Sequence, residues 1–183
     1  MGEAGFAATV RRGGARAAGL AVFCSLLALP AAAQPVPFLP TATEACLAAA
    51  EDSGGREACI GRSADQCADT PDGSTTAGLG ICFGTERDFW DVRLNQAYHT
   101  LLEIEKGNAA ALAQSGSAAA SPSEALQAMQ RAWIAWRDAA CAYEVSGWGG
   151  GTGGGPAGAE CEMQVTGRQA LSLEARIKRA TGP

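Results

Sequence analysis

Six cysteines spread along an otherwise helix-prone chain constrain this fold more than any other feature. Cys46, Cys59, Cys67, Cys82, Cys141 and Cys161 remain once Cys24 is set aside with an N-terminal leader. Arg11, Arg12 and Arg16 precede an apolar run from Ala17 to Leu29, and Ala31, Ala32 and Ala33 supply a small-residue cleavage site before Gln34. The run holds about thirteen residues, short of the roughly twenty that span a bilayer. It therefore reads as a signal peptide over residues 1–33, with no stable membrane insertion after cleavage. Val22 and Phe23 stand before Cys24 where a lipid-modified cysteine follows small residues, so Cys24 leaves with the leader. An even number of cysteines in an exported chain reads as a disulfide framework in a periplasmic or secreted protein. Connectivity stays open at this point, but local geometry ranks the pairings. A turn at Ser53, Gly54 and Gly55 brings Cys46 towards Cys59, a turn at Pro71, Asp72 and Gly73 brings Cys67 towards Cys82, and Cys141 and Cys161 flank a glycine tract. A zinc site needs close C-x-x-C pairs and histidines; these spacings are wide and the chain has one histidine. No metal and no cofactor is expected.

Without the leader the chain carries 11 basic and 18 acidic side chains, a net charge of about −7. Nucleic acid is excluded as a partner, because affinity for phosphate backbones needs clustered positive charge. A basic protein would be drawn to such a surface, and the attraction would weaken with salt.

Residues 34–183 are enough for one domain with a core, and small enough to gain from staples. Gln34 to Pro40, with three prolines, reads as a tether. Thr41 or Thr43 caps a short helix to about Glu51, and a second short helix runs from about Arg56 to Ala68. This gives residues 34–74 as a cysteine-linked prefix and 75–183 as the main helical domain. There Trp90, Leu94, Ala97, Leu101 and Ile104 recur at helical spacing. This long helix begins near Thr75 or Thr76 and runs through Ile104, but Gly78, Gly80 and Gly84 weaken its first turns, so its regular part is expected to start at about Thr85. Lys106 to Ser121 lacks a strong stripe and reads as a frayed end and mobile linker. Ser121, Pro122 and Glu124 signal a helix start. From there Leu126, Met129, Trp133, Trp136 or Arg137, Ala140 and Cys141 share a face as far as about Val145. The tract Gly147 to Gly158 follows, then a helix from about Glu160 to Arg179. No stretch alternates apolar and polar residues with β-branched enrichment. The fold class is all-α: a small disulfide-stapled bundle of three main helices in up-down-up order, with two short N-terminal helices in front.

Three motifs then carry a resemblance. They are Cys82-x3-Glu86-x3-Trp90-Asp91-x2-Leu94-Asn95-x2-Tyr98, Gln130-Arg131-Ala132-Trp133-Ile134-x2-Arg137-Asp138-x2-Cys141 and Cys161-x4-Thr166-x-Arg168. In this order the chain resembles the LprI-like family of bacterial exported proteins, named for a lysozyme inhibitor, over about Thr75 to Arg176. The resemblance implies a non-enzymatic protein that binds lysozyme or another cell-wall hydrolase, and it makes residues Gln34 to about Asp72 an addition to the family's core. The motif residues have a physical reading of their own. Trp133 and Arg137 lie one helical turn apart, as do Asp91 and Asn95. An arginine beside tryptophans lays its guanidinium on an aromatic face and binds a carboxylate through its fork. Arg137 or Arg168 is thus expected to meet Asp91 or Asp138 between helices.

Catalytic chemistry finds no support. His99, the only histidine, has no nucleophile beside it and sits one residue past the core-facing Tyr98, near solvent. Glu86, Asp91, Glu103 and Glu105 could pair as acid and base, but such clusters are usually a solvated helix face. The glycine tract is not followed by Gly-Lys-Ser/Thr, which excludes a phosphate loop. Within it Trp148 either folds back over the helix ends or presents a partner contact. The reading is an exported binding protein directed at a basic lysozyme or another cell-wall hydrolase. The alternative is an envelope structural or stress-response interaction module with no effect on hydrolases.

Overall fold

The computed structural model describes residues 36–182, so the leader expected over residues 1–33 lies outside the described residues. Six helices and no strand occur among the described residues: α1 Thr41–Ala49, α2 Ser53–Glu57, α3 Arg62–Ala68, α4 Thr76–Gln114, α5 Pro122–Ser146 and α6 Gly154–Thr181. The fold is all-α, and the described residues form one compact unit that contains both the prefix and the main helices. Arg87 and Arg93 of α4 pair with Glu162 and Glu174 of α6, ascending together. Gln130 and Cys141 of α5 meet Gln169 and Cys161 of α6 in reverse order. The three long helices therefore run up, down and up.

Apolar stripes explain this packing. Trp90, Leu94, Ala97 and Leu101 of α4 close against Met163, Ala170 and Leu173 of α6, with Leu126 of α5 and Leu47, Ile60 and Ala64 of the prefix completing the core. Full burial of each large side chain contributes roughly 1.5–3 kcal/mol. The disulfides Cys46–Cys59, Cys67–Cys82 and Cys141–Cys161 join α1 to the end of α2, α3 to α4, and α5 to α6. They are the three pairings that local geometry ranks first.

Several boundaries differ from expectation, each for a physical reason. Helix α4 is regular from Thr76, not Thr85, because the Thr75 hydroxyl accepts from the Gly78 amide at 2.9 Å and a disulfide pins Cys82. Gly78 is buried where a Cβ would collide with the Asp72 carbonyl. The glycine that weakens helical propensity is thus what permits the close approach. At its other end α4 continues to Gln114, since Ala109, Ala110, Ala111, Leu112 and Ala113 are strong helix formers. Lys106 is therefore helical, and the connection to α5 shrinks to residues 115–121. Helix α6 starts at Gly154 rather than Glu160. Gly154 and Gly158 are buried, and a Cβ on Gly158 would lie 2.8 Å from Val145 Cγ2. The end of the glycine tract is thus helical, with Gly154 and Gly158 in close contact with Val145 of α5. The prefix holds three short helices instead of two, because Gly61, at φ 98°, breaks the chain between α2 and α3. Helix α1 follows Pro40 without a side-chain cap; Thr43 is used inside the protein.

Candidate functional site

Among the described residues the one fully buried carboxylate is Glu86, with no exposed area. Cys82, Glu86, Trp90 and Leu94 are spaced by one turn along the buried side of α4, so the residue expected on a solvated face lies in the core stripe. Its Oε1 accepts from Thr43 Oγ1 at 2.9 Å, the Gly61 amide at 2.8 Å and Trp90 Nε1 at 3.1 Å. Its Oε2 accepts from the Ala64 amide at 2.6 Å. Thr43 Oγ1 also accepts from the Ser63 amide at 3.0 Å, and Ser63 Oγ accepts from the Thr43 amide at 2.9 Å. Two of the donors to Glu86 are orphan amides at the start of α3, which has no capping side chain of its own. A carboxylate of α4 therefore caps α3 across space. With both oxygens engaged by protein donors and no opening to solvent, Glu86 is a structural anchor and not an acid or base for a substrate.

The other motif residues are placed as follows. Trp90 and Leu94 are buried, and Tyr98 is partly buried against the core with its ring centre 5.5 Å from that of exposed His99. Asn95 Nδ2 donates to Asp91 Oδ2 of its own helix at 2.9 Å. Gln130 is buried and accepts from Gln169 Nε2 at 3.0 Å, while Arg131 is exposed. Trp133 packs against the core with the Arg137 guanidinium 5.3 Å from its ring centre. The expected pairing of Arg137 or Arg168 with Asp91 or Asp138 between helices does not form. Arg137 meets its sequence neighbour Asp138 at 2.7 Å at the surface, and Arg168 reaches Glu57 of α2 at 2.7 Å. Asp91 is engaged by Asn95 instead. The inter-helix clamp is built from residues outside the expected set: Glu174 of α6 receives Arg93 of α4 and Arg56 of α2, each at 2.7 Å.

One surface of the bundle is unlike the rest. Helix α5 buries only Leu126, Gln130 and Cys141. Trp136 is 56% exposed and Tyr143 is 77% exposed; seven residues apart, they share the outward side of the helix. Arg137, and not Trp136, occupies the inner position that the spacing left open between them. Beyond α5 the chain turns through Gly149 and Gly150, both at positive φ, and the Gly151 amide closes on the Trp148 carbonyl at 2.8 Å. Trp148 then folds over Gly153, where a Cβ would strike the indole, yet it remains 53% exposed. It covers backbone with one side and presents the other. Trp136 and Trp148 line a common groove between α5 and α6 of about 530 Å³, and the Cys141–Cys161 disulfide ties its two walls. Such a groove, flanked by two indoles and open to solvent, suits recognition; no nucleophile and base are juxtaposed in it.

A protein-family model described as lysozyme inhibitor LprI matches residues 67–173, more than half of the chain. The chain belongs to this family. A curated relative, described as an uncharacterized 17.7 kDa protein in the puhA 5′ region of Rhodobacter capsulatus, is 27% identical over 137 residues, spanning 74% of this chain and 85% of its own length. No solved structure matches. The LprI match starts at Cys67, so the Cys67–Cys82 disulfide falls inside it, as do Glu86 and the whole groove. Thr43, Gly61, Ser63 and Ala64, which complete the hydrogen-bond set around Glu86, lie before it.

Proposed function

We propose that the protein is an exported, non-enzymatic binding protein that docks on lysozyme or another cell-wall hydrolase through the outward side of α5 and its groove with α6. Membership in the lysozyme inhibitor LprI family supports the class of partner. Three disulfides support an oxidising compartment, periplasmic or extracellular. The observation that carries the choice of surface is the exposure of Trp136, Tyr143 and Trp148 along one face. Tryptophan and tyrosine dominate the binding energy of protein interfaces because they bury large area with few rotors to freeze, and here more than half of each residue's surface stays open. The acidic surface would speed encounter with a basic enzyme.

The test is lysis of a cell-wall suspension by several lysozymes at low and moderate salt, with purified oxidised protein added. Stoichiometric inhibition, relieved by Trp136→Ala at unchanged melting temperature, is the expected result. No effect on any hydrolase would favour the envelope interaction module, and clearing of the suspension by the protein alone would sink both readings.

A further inference from the structure

The groove has a charge as well as a shape. Trp136 and Glu144 come from α5, Trp148 from the turn, and Glu160, Gln164 and Arg168 from α6. Of these, Arg168 already directs its Nε to Glu57 at 2.7 Å. That leaves two aromatic faces and two carboxylates, Glu144 and Glu160, both exposed, with no cation among the described residues committed to either in a salt bridge. An indole face attracts a cation through its quadrupole, and a carboxylate beside it supplies the counter-charge. Arginine fits this combination better than lysine, because the planar guanidinium stacks on an indole while its edge donates to carboxylates.

We infer that the α5–α6 groove is a receptor for an arginine side chain projecting from the partner protein, stacked against Trp136 and Trp148 and neutralised by Glu144 and Glu160. The inference rests on the reading that this face docks on a basic protein, and adds the chemistry of the residue it grips. A sugar is the competing occupant for exposed tryptophans. It needs amide and hydroxyl partners more than net negative charge, and the lining here offers Gln164 as its one side-chain amide.

The experiment titrates the purified oxidised protein with acetyl-Gly-Arg-Gly-amide, with the citrulline tripeptide that keeps the shape and loses the charge, and with chitotriose. Intrinsic tryptophan fluorescence is the readout. A saturable change with the arginine peptide is expected, weakened about five-fold or more by Trp136→Ala or by the pair Glu144→Gln and Glu160→Gln. It should also weaken as ionic strength rises from about 0.02 to about 0.15 M. All three residues are exposed, so circular dichroism should report unchanged folding; if Trp136→Ala is destabilised, the isosteric glutamine pair decides. An equal response to the citrulline peptide, a response to chitotriose in place of arginine, or indifference to the variants overturns the inference. Inhibition of a lysozyme without any arginine response would overturn the groove chemistry and leave the docking reading intact. An arginine response without inhibition of any hydrolase would support the groove chemistry and remove the hydrolase reading.

Discussion

Replacing Glu86 by Gln exchanges one oxygen for an amide nitrogen in a side chain with no exposed area, and it breaks the donor count around that side chain. Three donors converge on Oε1 and one on Oε2. A glutamine amide has one oxygen, best placed at the three-donor side, and its NH2 must then face the Ala64 amide, donor against donor. Flipping the amide strands the Gly61 and Trp90 N–H donors instead of one, since only the Thr43 hydroxyl can turn to accept. Losing a charge-assisted bond costs about 1.5–3 kcal/mol and leaving a buried amide unpaired about 1–3 kcal/mol, so roughly 3–5 kcal/mol is expected. In a domain of this size each kcal/mol moves the melting temperature by about 2–4 °C, which gives a fall of about 6–20 °C. The assay is far-ultraviolet circular dichroism on heating with the disulfides intact, checked against urea unfolding. Combining Glu86→Gln with Thr43→Val should cost less than the sum of the two changes, since both act on one network. A fall of less than about 3 °C for Glu86→Gln would refute the reasoning, because it would mean that the carboxylate's charge is not what satisfies these donors.

Three further outcomes follow from the packing. Gly167→Ala places a Cβ within 2.9 Å of Ile60 Cδ1 and Cγ1, so it should lower stability by about 1–3 kcal/mol in urea unfolding, and Ile60→Ala in the same chain should recover part of the loss. Replacing both Cys141 and Cys161 by Ala opens a link spanning 20 residues. Stability should fall by about 3 kcal/mol, and the groove should lose affinity for its partner in a direct binding measurement even where the chain stays folded. Arg137→Lys should change stability by less than about 1 kcal/mol, because the arginine pairs with its exposed neighbour Asp138 at the surface; a large drop in the melting temperature would restore an inter-helix role.

Much of the fold is legible in residue spacing. The stripe of Trp90, Leu94, Ala97 and Leu101 identifies the inner side of α4, and the Ser121 and Pro122 signal marks the start of α5. Both depend only on helix period and capping. Element ends are less legible, because Gly78, Gly154 and Gly158 act through tertiary contact: propensity counts them as helix weakeners, while the structure uses their missing side chains. Glu86 is the instructive miss. Its position, four residues from Cys82 and four from Trp90, places it among buried neighbours, but the residue type alone argues for solvent. The donors that resolve the conflict come from Thr43, Gly61 and Ala64, which no periodicity relates to α4. The groove is half legible: Trp148 stands out in a glycine tract, whereas helical spacing lets either Trp136 or Arg137 take the inner face. Only the packing of α5 on α6 decides which of the two turns outward.

The sparse burial of α5 has a consequence for how such proteins diverge. Its fully buried residues number three and its ends are held by a cap and a disulfide, so substitutions along the outward side leave the core untouched and fall in the range of about ±0.5 kcal/mol typical of surface changes. Selection on recognition can therefore proceed there almost free of selection on folding. A lineage could retarget this helix to a different partner by exchanging a few outward side chains, keeping the scaffold beneath unchanged.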